Sequence, residues 1–139
     1  MLRNLFGKFK YKNMNDYISD LLARLHNGII RKKEVIIVPN SKAIIAVLEV
    51  LKQEKMIENF EKVEKMIEVR PIYEEDGRPL VKHFTRVSRP GQRMYVSSKE
   101  LTPVMNGRGI NIISTSSGVM TGAMAKSKNL GGELICKVW

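Results

Sequence analysis

The segment INIISTSSGVMTGAM, residues 110–124, joins an apolar run to a cluster of short hydroxyl side chains. Its first four residues predict a strand, and a short helix over about 121–128 is expected to follow. Between them lie Ser114, Thr115, Ser116, Ser117 and Gly118, with no carboxylate, histidine or cysteine beside them. Hydroxyls can bond to phosphate or to a 2′-OH, N–H groups at a helix start carry partial positive charge, and glycine permits close approach. The junction therefore predicts RNA contact. Simple capping of the helix by Ser117 or Thr121 is the alternative and is compatible with that role.

The remainder of the second half predicts a small, mainly β lobe. Strands are expected over 80–88, 93–96 and 133–139, with a brief helix opening at the capping-box pattern of 97–100. A strand–turn–strand carries Arg86, Arg89 and Arg93, with Tyr95 close by. Arginine can bind two phosphate oxygens at once, and tyrosine can stack on a base or sugar. This basic hairpin is a second candidate for RNA binding, and a solvated basic hairpin is the alternative.

The first half predicts an α-β-α-β-β unit. Helices are expected over about 16–30 and 42–54, the second with Ser41 as its N-cap. Strands are expected over 34–38, 57–63 and 66–73, with Pro71 favouring an edge strand or a bulge. The predicted fold class is therefore α+β. It comprises two small α/β lobes, 14–76 and the mainly β lobe 77–139 with short helices, preceded by a basic extension over 1–13.

The charge distribution favours a polyanionic partner. The 139-residue chain has a formal net charge of +10 at pH 7. Residues 1–48 hold nine basic and three acidic side chains, 49–76 hold five and nine, and 77–139 hold ten and two. An acidic segment thus separates two basic ones, which indicates one face toward phosphate and another toward solvent or protein. Nucleic acid is the favoured partner, ahead of an anionic membrane.

The residues that usually perform catalysis are isolated in this sequence. His26 and His83 have no candidate nucleophile beside them, and the single cysteine, Cys136, excludes an internal disulfide and a cysteine-cluster metal site. Cys136 lies in an apolar strand pattern, which is typical of a small buried side chain. We therefore predict that the protein is not an enzyme and uses no cofactor, metal or small-molecule substrate.

The first residues form a distinct basic segment. Leu2, Leu5, Phe6 and Phe9 recur at helical spacing among basic residues, without acidic ones. The pattern resembles an organelle-targeting peptide, and we interpret it as a retained arm that packs on a neighbour or on RNA. The competing hypothesis is a basic membrane-surface-associated protein anchored by this amphipathic segment. No apolar run reaches the ~18 residues of a membrane helix, and no membrane is expected as a partner.

Several stretches resemble one known family. SRPGQRMY (88–95), STSSGVMT (114–121) and GGELICKVW (131–139) resemble the bacterial-type family of the eighth small-subunit ribosomal protein, and DYISDLLARLHNG (16–28) and VPNSK (38–42) agree with it. The resemblance covers about 14–139 and implies two α/β lobes in tight contact. It further implies a place in the small ribosomal subunit beside other ribosomal proteins, binding to the central domain of small-subunit rRNA and help in assembly. Bacterial members can also repress translation of their own operon.

The resemblance also implies which residues contact rRNA, most of them in the second lobe. The matching positions are Ser114, Thr115, Ser116 and Gly118 in the serine loop; Ser88, Arg89, Pro90, Gly91, Arg93 and Tyr95 in the basic hairpin; and Arg24, Asn27, Ser41 and Lys42 in the first lobe. Arg86 joins this set from its place in the hairpin.

Some positions depart from the family pattern. His26 and Ser117 stand where the family usually has arginine and lysine, Tyr17 where it has proline, and Arg108 interrupts a usual Gly-Leu-Gly. These departures remove two basic side chains, so we expect the loss of some of the family's phosphate contacts and the replacement of one by Arg108. With the extension and the bias toward Ile, Lys and Met, these departures predict an organelle-encoded, mitochondrial member. A free-living or reduced-genome bacterium, with the protein in its cytoplasm, is the alternative.

Overall fold

A computed structural model describes residues 14–139, and the predicted extension over 1–13 lies outside the described residues. The first lobe has the expected α-β-α-β-β order. Its elements are α1 (Met14–Ile30), β1 (Ile36–Pro39), α2 (Lys42–Gln53), β2 (Ile57–Val63) and β3 (Met66–Pro71). Ser41 caps α2 as predicted, because its Oγ accepts a hydrogen bond from the Ile44 N–H at 3.1 Å.

The three strands of this lobe form an antiparallel sheet in the order β1-β3-β2. The prediction that Pro71 favours an edge strand is wrong, since β3 is the central strand. The alternative of a bulge is confirmed, on the neighbouring strand. Pro71 is the last residue of β3, and the register of β2 shifts between its partner Ile57 and Asn59. Proline has no N–H to give to a ladder, so it is tolerated where the ladder is already interrupted.

The second lobe is mainly β, as expected. Its elements are β4 (Phe84–Arg86), β5 (Tyr95–Val96), β6 (Ile110–Thr115), β7 (Gly118–Thr121), α3 (Gly122–Ser127) and β8 (Gly132–Val138), with short 3₁₀ helices at Ser98–Glu100 and Met105–Gly107. The five strands form an antiparallel sheet in the order β4-β8-β6-β7, and β5 also pairs with β8.

The strand predicted over 80–88 is much shorter than expected. Only Phe84–Arg86 is strand, because the amides on either side do not follow a ladder pattern. Lys82 and His83 both donate to the carbonyl of Trp139, and Val87 and Ser88 both donate to the carbonyl of Ile135. Where two successive N–H groups donate to the same carbonyl, the chain bends away from the extended conformation of a strand.

The predicted basic hairpin is not a hairpin. Its two strands lie one after the other along the same edge of β8, and a loop joins them. β4 pairs with Val138 to Cys136, and β5 pairs with Glu133 and Gly132, so both run along the same side of β8 in the same direction. The residues between them, 87–94, leave the sheet and return to it. We call this segment the basic loop. Its turn at 89–91 is confirmed by the paired backbone hydrogen bonds between Arg89 and Gln92.

The two lobes share one apolar core. The buried faces of α1 and α2 pack with Ile67 and Val69 of β3, and the same cluster continues into Ile112, Ile135, Cys136 and Val138 of the second sheet. A smaller cluster on the other face of that sheet contains Leu101, Ile113, Met120 and Ala125. The second sheet therefore packs against apolar side chains on both faces. The division into domains at residue 76 stays a prediction, and the bridge between Tyr73 and Pro79 crosses it.

Candidate RNA interface

The serine cluster forms the end of a β-hairpin. Ser114 and Thr115 are the last residues of β6, Ser116 and Ser117 make the turn, and Gly118 begins β7. The Thr115 hydroxyl donates to the Gly118 carbonyl at 2.8 Å and accepts from the Ser117 N–H at 3.1 Å. It therefore stabilises the turn, which leaves the exposed Ser116 and Ser117 as its outward-facing hydroxyls. We call residues 114–118 the hydroxyl hairpin.

This geometry corrects the predicted strand–loop–helix junction. The helix begins only at Gly122, where the Thr121 hydroxyl accepts from the Met124 N–H at 3.1 Å. Of the two residues suggested as caps, Thr121 is confirmed and Ser117 is wrong. The N–H groups of 114–118 belong to a hairpin, so the partial positive charge expected of a helix start does not apply to them.

Two glycines permit this arrangement. Gly118 has φ +113, a backbone conformation that side chains other than glycine rarely adopt, and the space around it is open. A Cβ on Gly132 would collide with the backbone carbonyl of Ser114. Gly118 therefore permits the turn of the hairpin, and Gly132 permits β8 to lie close to the base of the hairpin.

One row across the sheet joins the two predicted motifs. Tyr95 of β5 lies opposite Glu133 of β8, which in turn lies opposite Ser114 of β6. Directly opposed residues of antiparallel strands share a face of the sheet. We call Tyr95, Glu133 and Ser114 the cross-strand row. It connects the end of the basic loop to the base of the hydroxyl hairpin.

Glu133 anchors the basic loop to this row. Its carboxylate accepts a hydrogen bond from the buried Ser88 hydroxyl and lies 3.5 Å from Nη1 of Arg93. Ser88 also accepts from the Met94 N–H at 3.2 Å. The Ser88 position implied by the resemblance is thus a fully buried support for the loop. Sequence reasoning missed Glu133. The one signal for it in the sequence was that only two acidic residues occur over 77–139, and Glu133 is one of them.

The arginines in the basic loop and next to it divide into two kinds. Arg89 and Arg93 are exposed, together with Pro90 and Gly91 of the turn, and Tyr95 is 68% exposed, so its ring is free to stack. Arg86 is half-buried and points between the lobes. Its guanidinium donates to the Ser88 carbonyl and to the Ser19 hydroxyl of α1. The geometry favours a structural role for Arg86 over the phosphate contact predicted for it.

The first-lobe candidates have hydrogen bonds of their own. Arg24 donates to Asp20 at 3.0 Å and to the Ile37 carbonyl at 3.1 Å, and with the exposed Asn27 it lines a shallow groove beside Arg31 and Lys33. Ser41 is engaged in capping α2, whereas the next residue, Lys42, is exposed. These bonds stay within the first lobe, so the structure does not join this group to the cross-strand row.

Cys136 is buried, as expected, and one of the two histidines packs against an aromatic ring. Burial raises the pKa of the Cys136 thiol to about 12, although the nearby Arg86 charge acts in the opposite direction. His83 stacks on Trp139 with ring centroids 4.9 Å apart. Among residues 14–139, no group of three or more His, Cys, Asp or Glu side chains is arranged to hold a metal ion.

Comparison with known proteins agrees with the resemblance. The sequence model of a family described as Ribosomal protein S8 matches residues 16–139, which is most of the chain. The chain belongs to the ribosomal protein S8 family. The S8 match covers both lobes, the hydroxyl hairpin and the basic loop.

Curated S8 relatives match over nearly their whole length. A protein named small ribosomal subunit protein uS8 from Neisseria meningitidis serogroup C is 45% identical over 129 residues, covering 91% of this chain and 98% of the relative. The protein of the same name from Paracoccus denitrificans is 42% identical over 132 residues, covering 91% and 99%. That from Dehalococcoides mccartyi is 41% identical over 130 residues, again covering 91% and 99%.

Proposed function

We propose that this S8-family chain is a structural component of the small ribosomal subunit that binds the central domain of the small-subunit rRNA and helps that domain to assemble. Membership of the family supports the place in the subunit, as does the name of its relatives. The observation that supports RNA binding is the cross-strand row, because it joins the hydroxyl hairpin and the basic loop on a sheet that packs against an apolar cluster on each face.

The proposed contact depends on a rigid surface with three kinds of polar group. Ser116 and Ser117 offer hydroxyls to a ribose or phosphate, Arg89 and Arg93 offer guanidinium groups to phosphates, and Tyr95 offers a ring for stacking. Basic groups release condensed counterions from the RNA, so affinity falls as salt rises. The hydroxyls add recognition of local shape. Nothing in this contact requires a bond to be made or broken.

Ser116→Ala tests the hydroxyl hairpin. Ser116 is exposed at the turn, so the substitution removes a polar contact without disturbing the core. We expect binding to a central-domain RNA fragment to weaken by about 1–2 kcal/mol, or roughly five- to thirtyfold. Filter binding or calorimetry measures it.

The matched control is Ser127→Ala, since Ser127 is an exposed serine of α3 that donates only to the Met124 carbonyl. It should bind the fragment like the unaltered chain. Equal affinities for the two variants would place the hairpin turn away from RNA.

The location of the protein is proposed in two steps. The small ribosomal subunit follows from the family. The proposed mitochondrial location rests on the bias toward Ile, Lys and Met and on the extension over 1–13. The relatives named above are bacterial and give this location no support, so it stays a prediction. The competing membrane hypothesis rests on the same extension. Within residues 14–139, no helix combines the length and apolar character needed to cross a membrane.

A further inference from the structure

The cross-strand row has a negative charge at its centre. Glu133 lies between Tyr95 and Ser114 in the register of three strands, and it is one of two acidic residues over 77–139, where ten basic residues occur. A carboxylate in the middle of a surface that binds RNA repels phosphate, in addition to holding the basic loop in place. Its position therefore affects which parts of an RNA the row can receive.

The cations of the interface lie to one side of the row. Arg89 and Arg93 belong to the basic loop, whereas neither the row itself nor the hydroxyl hairpin contains a basic residue. Arg93 is the cation nearest to the centre, and its Nη1 lies 3.5 Å from the Glu133 carboxylate. That pair has no net charge. Attraction for phosphate is therefore strongest at the basic loop and is absent at the centre of the row.

The charge of Glu133 reaches the whole row. The side chain of Glu133 is 13% exposed, and its neighbour Tyr95 is 68% exposed, so a bound RNA comes close to the carboxylate. Two inter-strand spacings separate Tyr95 from Ser114, which makes the row roughly 10 Å long with Glu133 at its midpoint. Since charges in water act over about 8 Å at physiological ionic strength, a phosphate anywhere on the row is repelled.

We propose that Glu133 is a specificity-determining residue of the RNA interface, because its charge keeps phosphate off the cross-strand row. The proposal rests on the proposed binding of RNA. Non-specific binding of a duplex depends on phosphate contacts in any register, and Glu133 disfavours every register that places phosphate on the row. Tight binding then requires an RNA whose backbone passes the basic loop and turns away, so that a base or a ribose faces Tyr95 and Ser114.

Glu133→Gln tests the charge. The amide oxygen of glutamine still accepts the hydrogen bond of the Ser88 hydroxyl, so the basic loop keeps its support. Filter binding gives the affinities for a central-domain RNA fragment and for an unrelated RNA duplex of the same length. We expect the duplex to bind roughly fivefold more tightly than it binds the unaltered chain, with little change for the fragment. An unchanged ratio of the two affinities would overturn the proposal.

Glu100→Gln is the matched control for net charge. Glu100 is the other acidic residue over 77–139, and its carboxylate accepts a hydrogen bond from the Ser97 N–H at 2.7 Å, which glutamine also accepts. The change in net charge is the same, but Glu100 lies outside the row. This variant should keep the ratio of the unaltered chain. An equal fall in the ratio for both variants would show that net charge, and not position, determines the preference.

Glu133→Asp distinguishes charge from shape. Aspartate keeps the negative charge on the row and shortens the side chain that holds Ser88 and Arg93. We expect this variant to disfavour the duplex as the unaltered chain does, even where urea denaturation shows a lower stability. A role confined to supporting the loop predicts the reverse. Loss of the preference in Glu133→Asp would therefore contradict the proposal.

Arg93 provides another route to tighter binding of the duplex, since Glu133→Gln removes the carboxylate that lies 3.5 Å from its guanidinium. Both RNAs are therefore also titrated with Arg93→Ala and with the double variant Arg93→Ala/Glu133→Gln. The double variant should bind the duplex roughly fivefold more tightly than Arg93→Ala does, because the row itself has lost its repulsion. No gain in this comparison would assign the effect to Arg93 and overturn the proposal.

The same titrations separate this proposal from the proposed function. If the unaltered chain does not bind the central-domain fragment, the proposed function fails, whereas the duplex affinities of the two glutamine variants still show whether Glu133 repels phosphate. If the unaltered chain prefers the fragment and Glu133→Gln retains that preference, the proposed function stands and the role of Glu133 is refuted.

Discussion

At the scale of single residues, burial separates the side chains that build the interface from those that face outward. Ser88 and Glu133 are held inside by their mutual hydrogen bond, whereas Ser116 and Arg89 are exposed. The sequence identified Ser116, because exposure follows from a polar turn. It could not identify Glu133 or the inward direction of Arg86, since each depends on which strands lie side by side.

Ser88→Ala tests the buried support. Ser88 is fully buried, and the substitution removes both the donor to Glu133 and the acceptor of the Met94 N–H. We expect the free energy of unfolding to fall by about 1–3 kcal/mol, measured by urea denaturation. The exposed Ser116→Ala should leave stability unchanged. An unaltered midpoint for Ser88→Ala would show that the loop does not depend on this hydroxyl.

At the scale of elements, local signals predicted the first lobe better than the second. Helical spacing and the Ser41 cap are local, and both helices formed within a few residues of the expected bounds. The hydroxyl hairpin was missed because its Ser-Ser turn lacks the Asn-Gly or Asp-Gly pattern that usually indicates a two-residue turn. The basic loop was taken as a hairpin because only the shared partner strand, β8, shows that β4 and β5 lie on one edge.

Gly118→Ala tests the hairpin as an element. Gly118 has φ +113 and no atom within 4 Å of the position a Cβ would occupy, so the cost is conformational alone. We expect a loss of about 1–3 kcal/mol in the free energy of unfolding. Gly91→Ala is the control, because Gly91 is equally open but lacks the positive φ. Similar stabilities for the two variants would contradict the strained turn.

At the scale of the whole molecule, acidic and basic side chains are concentrated in different parts of the chain. Exposed glutamates at 58, 61 and 64 lie on and beside β2 of the first lobe, while the second lobe holds ten basic and two acidic residues. Composition therefore predicted the class of partner. The shared core was not predictable in detail, because it depends on how α1 and α2 pack on the second sheet.

Arg93→Ala tests the electrostatic part of the contact. Arg93 is an exposed cation of the basic loop whose Nη1 lies 3.5 Å from Glu133, which leaves its other guanidinium nitrogens for phosphate, and its loss should reduce the slope of log affinity against log salt by about one unit. Arg78→Ala is the control, since Arg78 pairs with Asp76 at 2.6 Å, outside the basic loop and the hydroxyl hairpin. Titrations of an RNA fragment at several salt concentrations give both slopes. Equal slopes for the two variants and the unaltered chain would place Arg93 away from phosphate.

Directed hydroxyl-radical probing tests most directly whether the hydroxyl hairpin faces rRNA. An iron chelate is tethered through Ser116→Cys or, as a comparison, through Glu61→Cys on the acidic strand β2. The buried Cys136, with its pKa raised to about 12, does not compete for the label. In reconstituted subunits, position 116 should cut the central domain of the rRNA, and position 61 should give background cleavage. Cleavage from position 61 with none from position 116 would contradict the proposed orientation.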